Sequence, residues 1–182
     1  MNSYLSIGIT SVVFQHKNKK HSDADDDGEV LEKRLLLWAA SRCSQKEYCR
    51  SELAQKMLTK GASAQQIERI LEQLETEKYV DENRYACAFV SDKFRFEHWG
   101  KVKIRYTLQQ KGIPSHCIDE ALQNIVPDDY QEVLTTFVAQ RKKTTKGATP
   151  FEINQKVARA AISRGFEPQL VFSTLRLDED EW

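Results

Sequence analysis

The chain has 182 residues, 27 of them basic and 27 acidic, for a formal net charge of zero. This balance excludes a general attraction for polyanions, so any binding to nucleic acid or to an acidic protein must come from local clustering. No apolar run approaches the roughly 20 residues that a membrane helix needs. Ile7 to Phe14 is too short, and lacks the charged flank, for a secretory signal. The expectation is a cytoplasmic protein with no membrane partner.

Cys43, Cys49, Cys87 and Cys117 form no CxxC pair and sit beside apolar residues, so they read as small buried or half-buried thiols of a reducing compartment. The four histidines make no HxxxH or HExxH pattern, and neither a metal nor a cofactor is expected. Gly and Pro are few, and long stretches of Leu, Ala, Glu, Lys, Gln and Arg favour helix.

In chain order, residues 1–30 read as a flexible leader. Tyr4 to Phe14 has the β-branched content of a strand, but no second strand pattern exists to pair with it. Residues 16–29 run a basic cluster into an acidic one, the composition of a solvated linker. Asp25, Asp26, Asp27 and Glu29 lack the alternating ligand spacing of a calcium loop.

Helical periodicity begins at Leu31. When Gly61, Gly112 and Gly165 are superimposed, the preceding helix aligns Leu53 with Ile104 and Val157, and the following one aligns Leu71 with Leu122 and Leu175. Each glycine stands where a helix end needs a residue tolerant of positive φ. A leading helix aligns Trp38 with Phe89 and Phe137, which puts an insertion of about five residues in the third unit between Thr144 and Thr149. Ser63 to Gln66 and Thr149 to Glu152 have capping-box form, and Pro114, Pro150 and Pro168 suit first-turn positions. The units are 31–80, 81–126 and 127–177, with an acidic tail at 178–182 that ends in Trp182. The fold class expected is all-α: three tandem three-helix repeats in an elongated, curved solenoid-like body.

No GxSxG, phosphate-cradling glycine loop or pair of carboxylates suggests an active site. The functional signal is charge. From Lys93 to Lys111 six cations (Lys93, Arg95, Lys101, Lys103, Arg105 and Lys111) face one acid, Glu97, a local charge of 6 − 1 = +5. Lys101 and Arg105, four apart, are expected to project outward together. A second cluster is Arg141, Lys142 and Lys143, with Lys146 close by. Phe89 and Phe96, seven apart, fit a core stripe, and Trp99 beside Gly100 suits packing between units or stacking on a partner.

The run Asp81-Glu82-x-Arg84-Tyr85-Ala86-x-x-Phe89-Val90, followed by Lys93, Arg95 and Gly100-x-x-x-Ile104-x-x-x-Leu108-x-x-Lys111-Gly112-Ile113, resembles the signature of the RecX family of recombination regulators. Ser51-Glu52-Leu53-x-x-Lys56-Met57-x-x-Lys60-Gly61 resembles the family's first repeat, and Arg164-Gly165-Phe166 its third. Tyr48-Cys49 departs from the His-Ser type of cap expected before the first of these helices. The resemblance covers about residues 31–177. It implies a non-enzymatic protein that binds the RecA recombinase, lies in the groove of its filament on single-stranded DNA and limits filament growth or activity; a monomer is expected from the size of the repeat body. It also implies DNA binding, single- or double-stranded, with no catalytic residues, metal or cofactor to carry over. The nine cations from Lys93 to Lys143 named above are the candidate partner or DNA contacts. Two other readings of the residues stand beside it: a nucleic-acid-binding module acting without a recombinase, and a helical scaffold for another protein.

Overall fold

The computed structural model describes residues 23–176, so the strand-like Tyr4 to Phe14 and the acidic tail with Trp182 lie outside the described residues. The described chain is helical throughout: α1 (Asp23–Cys43), α2 (Arg50–Leu58), α3 (Ala64–Thr76), α4 (Glu82–Arg95), α5 (Lys101–Gln110), α6 (Ser115–Gln123), α7 (Pro127–Thr144), α8 (Pro150–Ser163) and α9 (Pro168–Leu175). The helices pack in threes, α1 to α3, α4 to α6 and α7 to α9. Apolar residues one turn apart account for this: Ile67, Ile70, Leu71 and Leu74 bury one stripe of α3, and Ile104 and Leu108 one stripe of α5.

Gly61, Gly112 and Gly165 close α2, α5 and α8 at φ of 88°, 78° and 93°. Lys78 and His98, which a search for glycines passes over, take the same left-handed conformation after α3 and α4. Ser63 forms the full capping box with Gln66. Thr149 accepts from the Glu152 amide, but the Glu152 carboxylate reaches back one residue further, to the Ala148 amide at 2.7 Å. Pro150 and Pro168 open α8 and α9, whereas Pro114 is the cap residue before α6.

Two expectations change. Residues 23–29, read as linker, belong to α1; the Gly28 carbonyl accepts from the Gln66 side chain at 2.8 Å, and Glu29 pairs with Lys33 one turn on. Phe96, read as core, is 77% exposed. It is the residue after α4, where the helical stripe has ended, and Phe94 fills the core against Tyr130 instead.

Buried side chains form two separate clusters. The first unit has its own, built on residues such as Leu53, Met57 and Leu74. The second and third share a continuous one that runs from Ile104 and Leu108 to Val157 and Phe166. The two junctions explain the difference. Between the second and third units the backbones touch: Gly100 N donates to Arg164 O at 2.9 Å and Val102 N to Gly165 O at 3.0 Å. A methyl group on Gly100 would stand 2.0 Å from Gly165 O. The Lys101 amide, first in α5, donates to the Tyr130 hydroxyl at 2.9 Å, and that hydroxyl donates to Glu167 at 2.6 Å.

Side chains bridge the first and second units. The Arg50 amide, first in α2, donates to Glu82 Oε1 at 3.0 Å, Ser51 Oγ donates to Lys111 O at 2.7 Å, and Arg84 pairs with Glu47. Cys49, the cap residue of α2, has no capping bond of its own to the helix, so the acceptor its amides need comes from the next unit. Glu82 sits one helix position from the Asp81 cap, as Tyr130 sits near the start of α7, and each caps the middle helix of the preceding unit. The second oxygen of Glu82, Oε2, is buried without a partner. Desolvation holds the Glu82 carboxyl above the usual carboxylate range.

Gly100 has an ordinary φ and needs no special conformation, yet Gly100→Ala is expected to destabilise the protein by about 3 kcal/mol because backbone must move. Gly112→Ala, with open space but positive φ, should cost only about 1 kcal/mol. Urea unfolding of both variants measures the order. Because the folded pKa of Glu82 is raised, its ionised form weakens the fold above that pKa, and the penalty is relieved as pH falls through it. Glu82→Gln keeps an acceptor without charge, so it should equal or exceed the parent in stability near pH 8, with the difference shrinking towards about pH 5. Unfolding midpoints across that range decide it; a variant weaker at every pH would contradict the assignment.

Candidate partner-binding surface

The expected cations divide among several surfaces. Lys93, in the last turn of α4, lies with its Nζ 5.4 Å from the Phe89 ring centre and 5.2 Å from that of Trp99, and it pairs with Glu97. Lys103 covers Trp99 at 4.0 Å. Lys111 stands 5.9 Å from both Phe89 and Tyr85 and binds Glu52 of the first unit. These three cations share one aromatic surface, and Trp99 meets Phe89 edge-on at 6.5 Å. Trp99 thus meets a ring and two cations of its own unit, and Gly100 beside it makes the backbone crossing to the third unit.

The remaining cations face elsewhere. Arg95, two residues after Lys93, is exposed beside a groove lined by Phe94, Asn124 and Asp129. Lys101 lies over the Tyr130 ring at 4.9 Å, and Arg105 bonds Asp119 at 2.6 Å; both line a second groove with Leu122 and Glu167. Their expected common outward projection holds, but one is seated on a ring and the other neutralised. Arg141, Lys142 and Lys143 are exposed in the last turn of α7, and no ion pair joins them to acids among the described residues.

The surface around Phe89 extends further than the sequence indicated. A groove of about 340 Å³ lined by Lys46, Glu47, Glu52, Phe89, Asp92 and Lys93 shares Lys46 and Glu52 with one of about 420 Å³ whose lining includes Tyr48, Lys56 and Lys111. Lys46 Nζ is 4.5 Å, and Lys56 Nζ 6.0 Å, from the Tyr48 ring centre. On the other side Arg164 of the third unit donates to Glu97 O at 2.9 Å and lies over Phe137. Lys46, Lys56 and Arg164 were not candidates, because isolated basic residues in mixed-charge segments give no cluster signal. Burial keeps the Tyr85 phenol protonated, so it donates to Glu52 at 3.1 Å. This surface offers fixed positive charge seated on rings, the arrangement for holding anionic groups. Among the described residues no group of His, Cys, Asp and Glu is placed to hold a metal ion, and no helix is long and apolar enough to cross a membrane.

The exposed cluster at the end of α7 lies at the negative end of the helix dipole, and no ion pair joins it to an acid among the described residues. Replacing Arg141, Lys142 and Lys143 together by Ala should therefore lower stability by only about 1 kcal/mol, measured by urea unfolding; a larger loss would show that the cluster serves the fold.

Comparison with known proteins follows this geometry. Residues 81–122 match the family model described as RecX, second three-helix domain. The regulatory protein RecX of Pasteurella multocida is 35% identical over 138 residues, covering 74% of this chain and 81% of that one. The regulatory protein RecX of Prosthecochloris aestuarii is 31% identical over 132 residues, 71% of this chain and 83% of that one. A crystal structure of regulatory protein RecX superimposes with a TM-score of 0.75 at 20% identity, covering 88% of this chain and 82% of the other. RecX from Lactobacillus salivarius gives 0.71 at 16% identity, covering 81% and 96%. With most of its own length and most of each relative's aligned, this chain belongs to the RecX family of regulatory proteins.

Proposed function

We propose that this protein regulates the RecA recombinase without chemistry of its own: it binds the recombinase filament in the cytoplasm, lies along the filament groove and limits growth and ATP hydrolysis. The observation that carries this reading is membership of a family of regulatory proteins. The structure is compatible with it at the level of shape and charge. Three three-helix units in series give a body able to reach more than one protomer of a polymer. The cations around Phe89 and Trp99, with Arg95 and the Arg141 to Lys143 turn, are the contacts assigned to an acidic groove.

Added substoichiometrically to RecA on single-stranded DNA, the folded protein should slow ATP hydrolysis and strand exchange. Unchanged hydrolysis with protein shown to be folded by circular dichroism would refute the reading and favour a scaffold for another partner.

A further inference from the structure

The charges of the third unit do not balance. Residues 127–176 hold eight cations against five acids. The two signs also lie apart: Asp128 and Asp129 occupy the first turn of α7, and Arg141, Lys142 and Lys143 its last. Glu167 takes the Tyr130 hydroxyl near the start of α7, and Glu152 the Ala148 amide. Just past α7 the exposed Lys146 adds a fourth cation, and Lys156 Nζ donates to its carbonyl at 3.0 Å. Arg141, Lys142, Lys143 and Lys146 have no ion pair with an acid among the described residues. Like charges gathered in this way repel one another, and the carbonyl end of α7 offsets that repulsion only in part.

Four acids of the same chain, Asp178, Glu179, Asp180 and Glu181, follow α9 directly. The end of α9 is held beside α7, where Gln131 Nε2 donates to Thr174 Oγ1 at 3.1 Å, and Arg176 closes the helix in the left-handed conformation at φ 58°. Arg141 stands ten residues beyond Gln131 on α7, a rise of about 15 Å. Glu181 stands five residues beyond Arg176, a length of extended chain of about 17 Å. The long side chains of Arg, Lys and Glu add to that reach from both sides. Four carboxylates are thus tethered at the distance that the four cations require.

We infer that the acidic segment 178–181 docks on the surface formed by Arg141, Lys142, Lys143 and Lys146 of its own chain and covers it against other anionic groups. Equal numbers of opposite charges and a matching length select this occupant. The tether gives the segment a high effective concentration at the surface, so it occupies the cations whenever no stronger anion does. Exposed ion pairs are individually weak and screened by salt, so the cover opens readily and a partner of denser negative charge displaces it. The contact goes beyond the regulator reading and does not rest on it; where that reading counts the α7 cations as contacts, the segment sets the charge density a partner needs to reach them.

The test is zero-length coupling in the full chain with a water-soluble carbodiimide, which joins a carboxylate to a lysine amine in contact with it as an amide with loss of water, followed by peptide mass spectrometry. Amides from residues 178–181 to Lys142, Lys143 and Lys146 are expected at low ionic strength and should vanish in NaCl at about 1 M, where the screening length is about 3 Å. In a mixture of nitrogen-15-labelled and unlabelled chains, each amide should join peptides of one label. Acetylation of the same lysines is the second readout. Replacing the acids together (Asp178→Asn, Glu179→Gln, Asp180→Asn, Glu181→Gln) should raise their rates at low salt by about threefold, the size an exposed ion pair supports, and leave Lys60, which lies over Trp38 in the first unit, unchanged. Parent-like circular dichroism qualifies the variant. The inference is overturned by absence of these amides at low salt, by coupling mainly to Lys101, Lys103 or Lys156, or by amides joining labelled to unlabelled chains, which would seat the segment on a second copy. Neither readout involves RecA, so failure here leaves the regulator reading standing, and unchanged ATP hydrolysis by RecA leaves this contact standing.

Discussion

The contact on which the arrangement of the second and third units depends is the approach of two backbones at Gly100 and Gly165. Helix α5 begins where α8 ends, so unpaired amides at the start of one helix meet unpaired carbonyls at the end of another. Each satisfies the other, and the positive end of one helix dipole faces the negative end of the next. The bonds form only because neither residue has a Cβ: one on Gly100 would overlap Gly165, and one on Gly165 would stand 2.3 Å from the Lys103 side chain. Across this junction Phe94 of the second unit meets Tyr130 of the third, whose ring also meets Phe166, and the two units share one hydrophobic body.

At the corresponding place between the first and second units the chain carries Cys49, which is buried in the core of the second and third units. Polar side chains then span the gap, with Ser51, Glu82, Glu47 and Arg84 among them. The two cores on either side stay separate. Glu82 shows the cost of that solution, since a carboxylate caps a helix well but leaves its other oxygen buried and unbonded. Tyr130 in the equivalent role donates its own hydroxyl hydrogen to Glu167 and leaves no such remainder.

The zero net charge takes on meaning in this light. Several acids are committed to bonds within the fold: Glu68 and Glu75 hold Arg50, Glu82 caps α2, Glu52 holds Lys111 and Tyr85, and Glu167 takes the Tyr130 hydroxyl. Many cations instead lie on exposed rings or at helix ends. A neutral chain can thus leave clusters such as Arg141, Lys142 and Lys143 without an ion pair among the described residues while other cations are paired.

The residues that the sequence alone determined are those whose meaning is local. Gly61, Gly112 and Gly165 mark helix ends because positive φ is a property of one residue, and Ser63 with Gln66 caps α3 through bonds spanning three positions. Repetition of these local signals was enough for the three-unit order, and the spaced motif of the second unit was enough for the family. Tertiary structure decided everything that depends on which strangers meet. Phe94 rather than Phe96 enters the core because α4 stops at Arg95, a boundary that apolar spacing does not register. Gly100, with an ordinary φ, gives no turn signal, and its necessity exists only in the presence of Gly165. Arg105 is as basic as Lys103 in the sequence, but Asp119 from another helix neutralises the first while a ring of its own unit holds the second. Charge and conformation are written residue by residue, whereas the neighbours that cancel or display a charge come from distant parts of the chain and are chosen by packing.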